Sequence, residues 1–343
     1  MDLTLSADQE AVRDAIRDVL REHASSERLR DVIGSPEGFD ARIWRTAAEL
    51  GWLGLSLPET AGGAGYGLPE AMILFVELGR TLAPGPWLGT VLAAEVAGAG
   101  ASANGRLAPL LAGRERIAIV DDPVDRLGSG KVLTGEVSGV IDGGGATAFL
   151  VLGSREVRWV AAAGVDVTSS HCIDPTRRMA RARFERATAD VLAGHAARLR
   201  ARGTVLAAAE ASGVAERAVE MSVEYAKVRE QFGRPIGSFQ AIKHRCADMA
   251  VRAEVARSAV TYAAVALDEG ADDAALYVHV AKSLATDAAL ANTTDGIQNH
   301  GGIGYTWEAD PHLYLKRARL LEHVFGTRTE HLDAIAAPWR DAR

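Results

Sequence analysis

The stretch Arg229-Glu230-Gln231-Phe232-Gly233-Arg234-Pro235-Ile236, with Phe239-Gln240 close behind, decides how this chain is read. It lies between two long helical patterns, near Ala197 to Val228 and Phe239 to Asp268, and two more follow near Asp272 to Gln298 and Leu313 to Leu332. Four long helices in succession predict a bundle for the last third, residues 195–343.

Ahead of it, residues 114–194 change character. Ile117 to Val120, Val132 to Val140, Ala148 to Leu152 and Val157 to Ala161 are short, β-branched and broken by Gly, Asp and Ser, with a turn at Asp142 to Gly145, so a small β domain is expected. Residues 1–113 are helical again. A stripe of Val12, Ile16, Val19 and Leu20 behind the cap Ser6 marks the first helix. A second runs near Ala41 to Leu50 and ends at Gly51. Leu53, Leu55 and Leu57 then alternate as an extended segment before the loop Pro58 to Gly67, which carries four glycines. Helices resume at Pro69 to Leu82, Pro86 to Ala97 and Asn104 to Ala112. The predicted class is mainly α with a small central β domain.

Composition narrows the function. A chain of 343 residues with 48% hydrophobic and 24% charged side chains can bury a large core. Its net charge of −7 offers no overall positive field to nucleic acid or to an anionic membrane. Cys172 and Cys246 are too few for a disulfide framework and lack the paired spacing of a zinc site, so no metal is expected. The first twenty residues are charged every few positions and no apolar run reaches membrane-spanning length, so a cytoplasmic protein is expected.

The 229–236 stretch, with Phe239-Gln240 and Ala247-Asp248-Met249, resembles a signature of the FAD-dependent acyl-CoA dehydrogenases. A second match, Gln298-Asn299-His300-Gly301-Gly302-Ile303-Gly304-Tyr305, stands at the distance that family requires. Leu50-Gly51-Trp52-Leu53-Gly54, Glu59 to Gly65 and Glu77-Leu78-Gly79-Arg80 resemble its amino-terminal domain. The resemblance implies a helical domain, a barrel-like β domain and a four-helix bundle. It also implies that Arg229, Gln231 and Phe232 reach across a dimer interface to the pyrophosphate and adenosine of an FAD held mainly by the neighbouring subunit. Gln240 and the Gln298 to Gly302 loop, with Gly301 and Gly302 allowing close backbone approach, would clasp the far end of that cofactor. A guanidinium in a fixed loop beside backbone amides is a good partner for a pyrophosphate. Trp52 and Trp87 are read as core, and His244 and His300 as structural histidines.

The same resemblance shows what is missing. The family's glutamate base, which takes the α-proton of the substrate, usually precedes a Gly-Thr pair; here the pair is Gly326-Thr327 and the preceding residue is Phe325. Some members place the base early in the first bundle helix, and counting back from Arg229 finds Gly203 there. In the β domain, the stretches that hold the flavin ring and thioester are replaced by Asp121-Asp122-Pro123 and Gly139-Val140-Ile141-Asp142. A chain that keeps the clasp and lacks the base resembles the shorter subunit of actinobacterial heteromeric members, several of which act on CoA esters of sterol fragments. This implies an α2β2 assembly with a base-bearing partner, an acyl-CoA substrate and an electron-transfer flavoprotein as acceptor. Two alternatives stay open here: a self-sufficient homotetramer using Glu322 as an unconventional base, with Glu330 a solvated neighbour, and a non-catalytic binding homologue. Arg177-Arg178 either close the β domain or touch a partner.

Overall fold

The computed structural model describes residues 3–35, 37–99 and 105–341, and the chain divides into two compact units. One takes its residues from Met1–Ser26, Met72–Ala83 and Thr204–Arg343; the other from Glu27–Ala71 and Pro84–Gly203.

In the first unit, α1 (Ala7–His23) starts at a capping box, in which Ser6 Oγ accepts from the Gln9 amide and Gln9 Oε1 accepts from the Ser6 amide. It buries Ile16 and Leu20. Its Arg17 grips Glu77 of α4 (Leu68–Thr81) with two hydrogen bonds of 3.0 and 2.6 Å. The bundle is built from α7 (Ala196–Val228), α8 (Gln240–Glu269), α9 (Ala274–His300), α10 (Pro311–Leu321) and α11 (Arg328–Asp341). From Thr204 to Ala215 α7 is apolar and small on nearly every side and buried along Val205 to Ala211, as a central helix must be. Arg317 of α10 pairs with the buried Glu210 of α7 and also donates to the Leu82 carbonyl at the end of α4.

The fourth helical pattern, expected to run unbroken from Leu313 to Leu332, is two helices. Phe325 (φ 56°) and Gly326 (φ 107°) take left-handed backbone that no α-helix accommodates, and the break falls on them.

The second unit holds α2 (Ser26–Gly34), which the sequence reading missed, α3 (Ala41–Glu49), α5 (Trp87–Gly98) and α6 (Leu107–Leu111). The expected start of α6 at Asn104 lies outside the described residues. The segment Leu53 to Leu57, expected to be extended, is a 3-10 turn over Trp52–Gly54 that continues helically at Leu55. With no neighbouring strand to pair, its backbone closes locally. The glycine loop folds back on it, Ala64, Gly65 and Tyr66 amides donating to the Gly54, Leu57 and Leu55 carbonyls. Trp52 and Trp87 are core residues, 4% and 1% exposed, and Trp87 packs on Trp44 with ring centres 4.8 Å apart.

The β domain has two sheets over one core. β1 (Ile117–Asp121), β3 (Ala148–Leu152), β4 (Val157–Ala161) and β7 (Asp190–Leu192) form one in the order β1-β3-β4-β7; β2 (Val132–Ile141), β6 (Met179–Thr188) and β5 (Val165–Ser170) form the other. Phe149 and Phe184 meet edge to face at 6.0 Å inside. Strands β5 to β7 were not foreseen. In β6 Ala180, Ala182 and Phe184 point in while Arg181, Arg183 and Glu185 point out, but helix-favouring Ala, Arg and Glu disguise the alternation. Asp142 (φ 59°) makes the expected turn before Gly143–Gly145. Arg177 bridges Asp142 and the Gly85 carbonyl, and Arg178 caps the end of α2 through the Val32, Ile33 and Ser35 carbonyls, so both arginines close this unit from within.

The crossing of α4 and α7 is made by glycine on both sides. A Cβ at Gly79 would lie 2.1 Å from the Glu210 carbonyl oxygen, and one at Gly213 would lie 2.0 Å from that of Val76. Helix propensity favours Ala over Gly by roughly 1 kcal/mol, but here the obstacle is backbone. Gly213→Ala is therefore expected to destabilise the fold by about 1–3 kcal/mol, measured as a lower urea midpoint; an unchanged or raised midpoint would contradict the close crossing.

Candidate cofactor clasp

Between α7 and α8 the chain makes a tight hairpin: β8 (Glu230–Gln231) pairs with β9 (Arg234–Pro235), Gln231 opposite Arg234. The two residues left at the turn, Phe232 (φ 54°) and Gly233 (φ 76°), both have positive φ, the requirement of a type I′ turn. Gly233 accepts this freely; Phe232 is strained, and its ring is 93% exposed. That ring meets Phe239 edge-on at 6.1 Å, and the Arg234 guanidinium lies over Phe239 at 4.2 Å. Arg229 is anchored through its backbone, its amide donating to the Tyr225 carbonyl (2.9 Å) and its carbonyl accepting from Ile236 (2.8 Å). Its guanidinium is exposed and has no ion pair among the described residues. Gln231 donates its side-chain amide to the Glu230 carbonyl.

The second element is the end of α9. Gly301 takes φ 67°, ψ −145°, a conformation open to glycine, while its amide returns to the Ile297 and Gln298 carbonyls. The space where a Cβ would stand on Gly301 or Gly302 is empty, and both are exposed, as is Gln298. Two ties hold this end to its neighbours. Arg245 of α8 donates to Asn299 (2.9 Å), and the His300 ring stacks on Tyr225 of α7 with centres 4.4 Å apart and planes 22° from parallel. Gln240, exposed, opens α8 beside Phe239. Arg229, Gln231, Phe232, Gln240, Gln298, Gly301 and Gly302 thus share one end of the bundle. An unpaired cation, exposed amides and a bare glycine turn fit the diphosphate and polar arm of a dinucleotide.

The turn between α10 and α11, where the sequence reading looks for the family's base, holds the half-buried Phe325. The nearby carboxylates are engaged: Glu322 pairs with Arg319 at 3.2 Å, and Glu330 Oε2 accepts from the Thr327 amide and hydroxyl, capping α11. Gly203 is buried within α7. Beneath the turn lies a cluster of basic side chains that sequence reading missed. Buried Lys282 donates to the Leu321 carbonyl (2.8 Å), and burial lowers its ammonium to about 8. His279 and His331 meet Nδ1 to Nδ1 at 2.8 Å, one donating and the other accepting. Their spacing of 52 residues hides the pair in sequence.

In the β domain, Asp122 is buried and accepts from the Arg126 and Leu127 amides, both at 2.9 Å. Asp125 and the Gly128 carbonyl are held by the fully buried Arg158. Asp122 from within the turn and Arg158 from β4 thus hold the 122–128 turn closed. Cys172 and Cys246 form no disulfide and are half-buried, and no cluster of metal-ligating side chains occurs among the described residues. His300 is half-buried and bonded to the Gly296 carbonyl, whereas His244, read as structural, is exposed on α8. No described helix is long and apolar enough to cross a membrane.

Helical ends around two small sheets, with this clasp on the bundle, define an acyl-CoA dehydrogenase-type flavoprotein. The acyl-CoA dehydrogenase N-terminal domain family matches residues 6–106 and the C-terminal domain family residues 200–338. The acyl-CoA dehydrogenase IpdE2 of Mycobacterium tuberculosis is 36% identical over 92% of each chain. Among solved structures, the ChsE4-ChsE5 complex of M. tuberculosis superposes with a TM-score of 0.89 at 28% identity over 99% of each chain. The Tcur3481-Tcur3483 steroid acyl-CoA dehydrogenase variant gives 0.88 at 27% over the same shares. The chain belongs to the acyl-CoA dehydrogenase family, whose members are FAD-dependent oxidoreductases.

The histidine pair carries a pH prediction. Burial, with Lys282 nearby, lowers His331 to about 4, and burial lowers His279 as well. The folded state then binds protons less readily than the unfolded chain, so the contribution is present above the ordinary histidine value near 6.5 and is lost as pH falls toward about 4. Urea midpoints should drop between pH 7 and pH 5, and His331→Gln should shrink that drop; an equal drop in the variant would assign the acid sensitivity elsewhere.

Proposed function

We propose that this chain is the base-less subunit of a heteromeric acyl-CoA dehydrogenase of the cytoplasm, α2β2 in form. It lends its clasp to an FAD held mainly by a partner that carries the catalytic glutamate. The observation that carries this is Phe325: a phenyl ring that accepts no proton occupies the base position, and the carboxylates on either side are committed to Arg319 and Thr327. The Asp122 turn supports it, since its carboxylate takes up the Arg126 and Leu127 amides and residues 121–128 carry no hydroxyl side chain where the family holds the flavin ring.

The reaction is α,β-dehydrogenation of a CoA thioester. FAD supplies the acceptor for the β-hydride, and an electron-transfer flavoprotein would reoxidise it. The partner's carboxylate takes the α-proton. In this chain Arg229 neutralises the pyrophosphate, Gln231, Gln240 and Gln298 hydrogen-bond the polar arm, and Phe232 packs on the adenosine. The likeness to the Tcur3481-Tcur3483 steroid acyl-CoA dehydrogenase favours a sterol-derived acyl group. A row of small and apolar side chains on the outer face of α8, Ala241, Ala247, Val251 and Val255, is exposed and suits coverage by another chain.

Purified alone, the chain should carry little flavin and dehydrogenate no acyl-CoA. Co-expressed with a family member that has Glu at the base position, it should give a yellow mixed tetramer with activity. In that complex Arg229→Ala should weaken FAD binding about tenfold or more, measured by flavin fluorescence titration. A flavin-loaded, active chain without any partner would sink the proposal, and loss of its turnover in Glu322→Gln would identify that residue as the base.

A further inference from the structure

We propose that the Tyr225–His300 stack is the positioning element that makes the hairpin and the glycine turn a single cofactor-binding unit; this rests on the clasp reading above. The two polar elements of the clasp come from different connections, 229–236 after α7 and 301–302 after α9, and touch the cofactor only if their spacing is held. Tyr225 stands at the root of the first: its carbonyl accepts the Arg229 amide at 2.9 Å, so the residue that carries the ring also sets where the guanidinium begins. His300 stands at the root of the second, the last residue of α9 before Gly301 turns to positive φ.

The histidine is itself fixed. The Gly296 carbonyl can only accept, so at 2.7 Å His300 Nδ1 carries the hydrogen and the ring plane is set one helical turn back. Stacking at 4.4 Å and 22° then transmits that orientation to Tyr225. The stack ties α7 to the residue that opens the glycine turn, and α8 has its own tie to the same helix end through Arg245 and Asn299. Arg229 and the Gly301–Gly302 backbone therefore keep a fixed separation before any ligand arrives, so that less ordering cost falls on binding. Neither ring is assigned a contact with the cofactor. Both act through the residues beside them.

The test is a double-substitution cycle on FAD affinity in the complex with the base-bearing partner, read by flavin fluorescence, with thermal stability followed in parallel. Tyr225→Leu and His300→Leu should each weaken FAD binding about three- to tenfold, and the double variant should lose little more than either single one, because the stack is already gone. Tyr225→Phe, which keeps the ring, should bind FAD as the native chain does. Additive losses, or variants that melt earlier while keeping native FAD affinity, would overturn the positioning role and leave a packing contact. Arg229→Ala in the same assay separates the two levels of the argument. If it weakens binding and the ring variants do not, only this inference fails; if it has no effect, the clasp reading fails with it.

Discussion

The side chain of Asn292 sets the register on which the bundle's working end depends. It is fully buried on α9, and its amide donates to the Ala215 carbonyl of α7 at 3.2 Å and to the Met249 carbonyl of α8 at 2.9 Å, while its oxygen accepts from Arg252 at 2.8 Å. A buried amide is costly unless its hydrogen bonds are made, and these three can be made together only at one axial setting of the three helices. Apolar packing between alanine-rich faces would tolerate a shift by one turn far more easily. Two turns beyond Asn292, that setting brings His300 against Tyr225 and Asn299 against Arg245.

The candidate clasp and the turn between α10 and α11 use their polar groups in opposite ways. At the clasp, polar groups are left outward and uncommitted: Arg229 has no ion pair among the described residues and the glycine turn stands bare. At the base position everything is consumed inward. Lys282 holds the last turn of α10, Glu330 caps α11, Glu322 is paired and Phe325, at the proposed base position, offers no proton acceptor. In the β domain Asp122 and Arg158 close a turn on themselves. In the proposed assembly such a chain would complete another chain's site, and the strained Phe232 turn, 93% exposed, would be the part that enters it.

Much of the clasp was legible in the sequence because it is local. Arg229 to Ile236 is one hairpin, Gln298 to Gly302 one helix end, and glycine marks both with a conformational demand that shows in the residue type. The exact limits of β3 and β4 followed from short β-branched runs between turn residues. The elements that escaped were those whose composition and role diverge: β6, written in Ala, Arg and Glu, and the 52–57 turn, whose alternating leucines are buried by a 3-10 path. The break at Phe325 was hidden because the apolar pattern runs on through a turn set by two backbone angles.

What the sequence determined by itself was the family and the mainly helical architecture with its β insert, since each is carried by residue type at a fixed spacing along the chain, and the same spacing supplied the residues on which the proposed clasp and base position rest. Only the tertiary structure decided that His279 meets His331, that Tyr225 meets His300, that Arg177 and Arg178 close their own unit, and that α4 and α7 touch backbone to backbone through Gly79 and Gly213. The physical reason is common to all four. Each joins residues far apart in the chain whose encounter is fixed by helix register and close packing, and neither leaves a period or a motif in either partner's own neighbourhood.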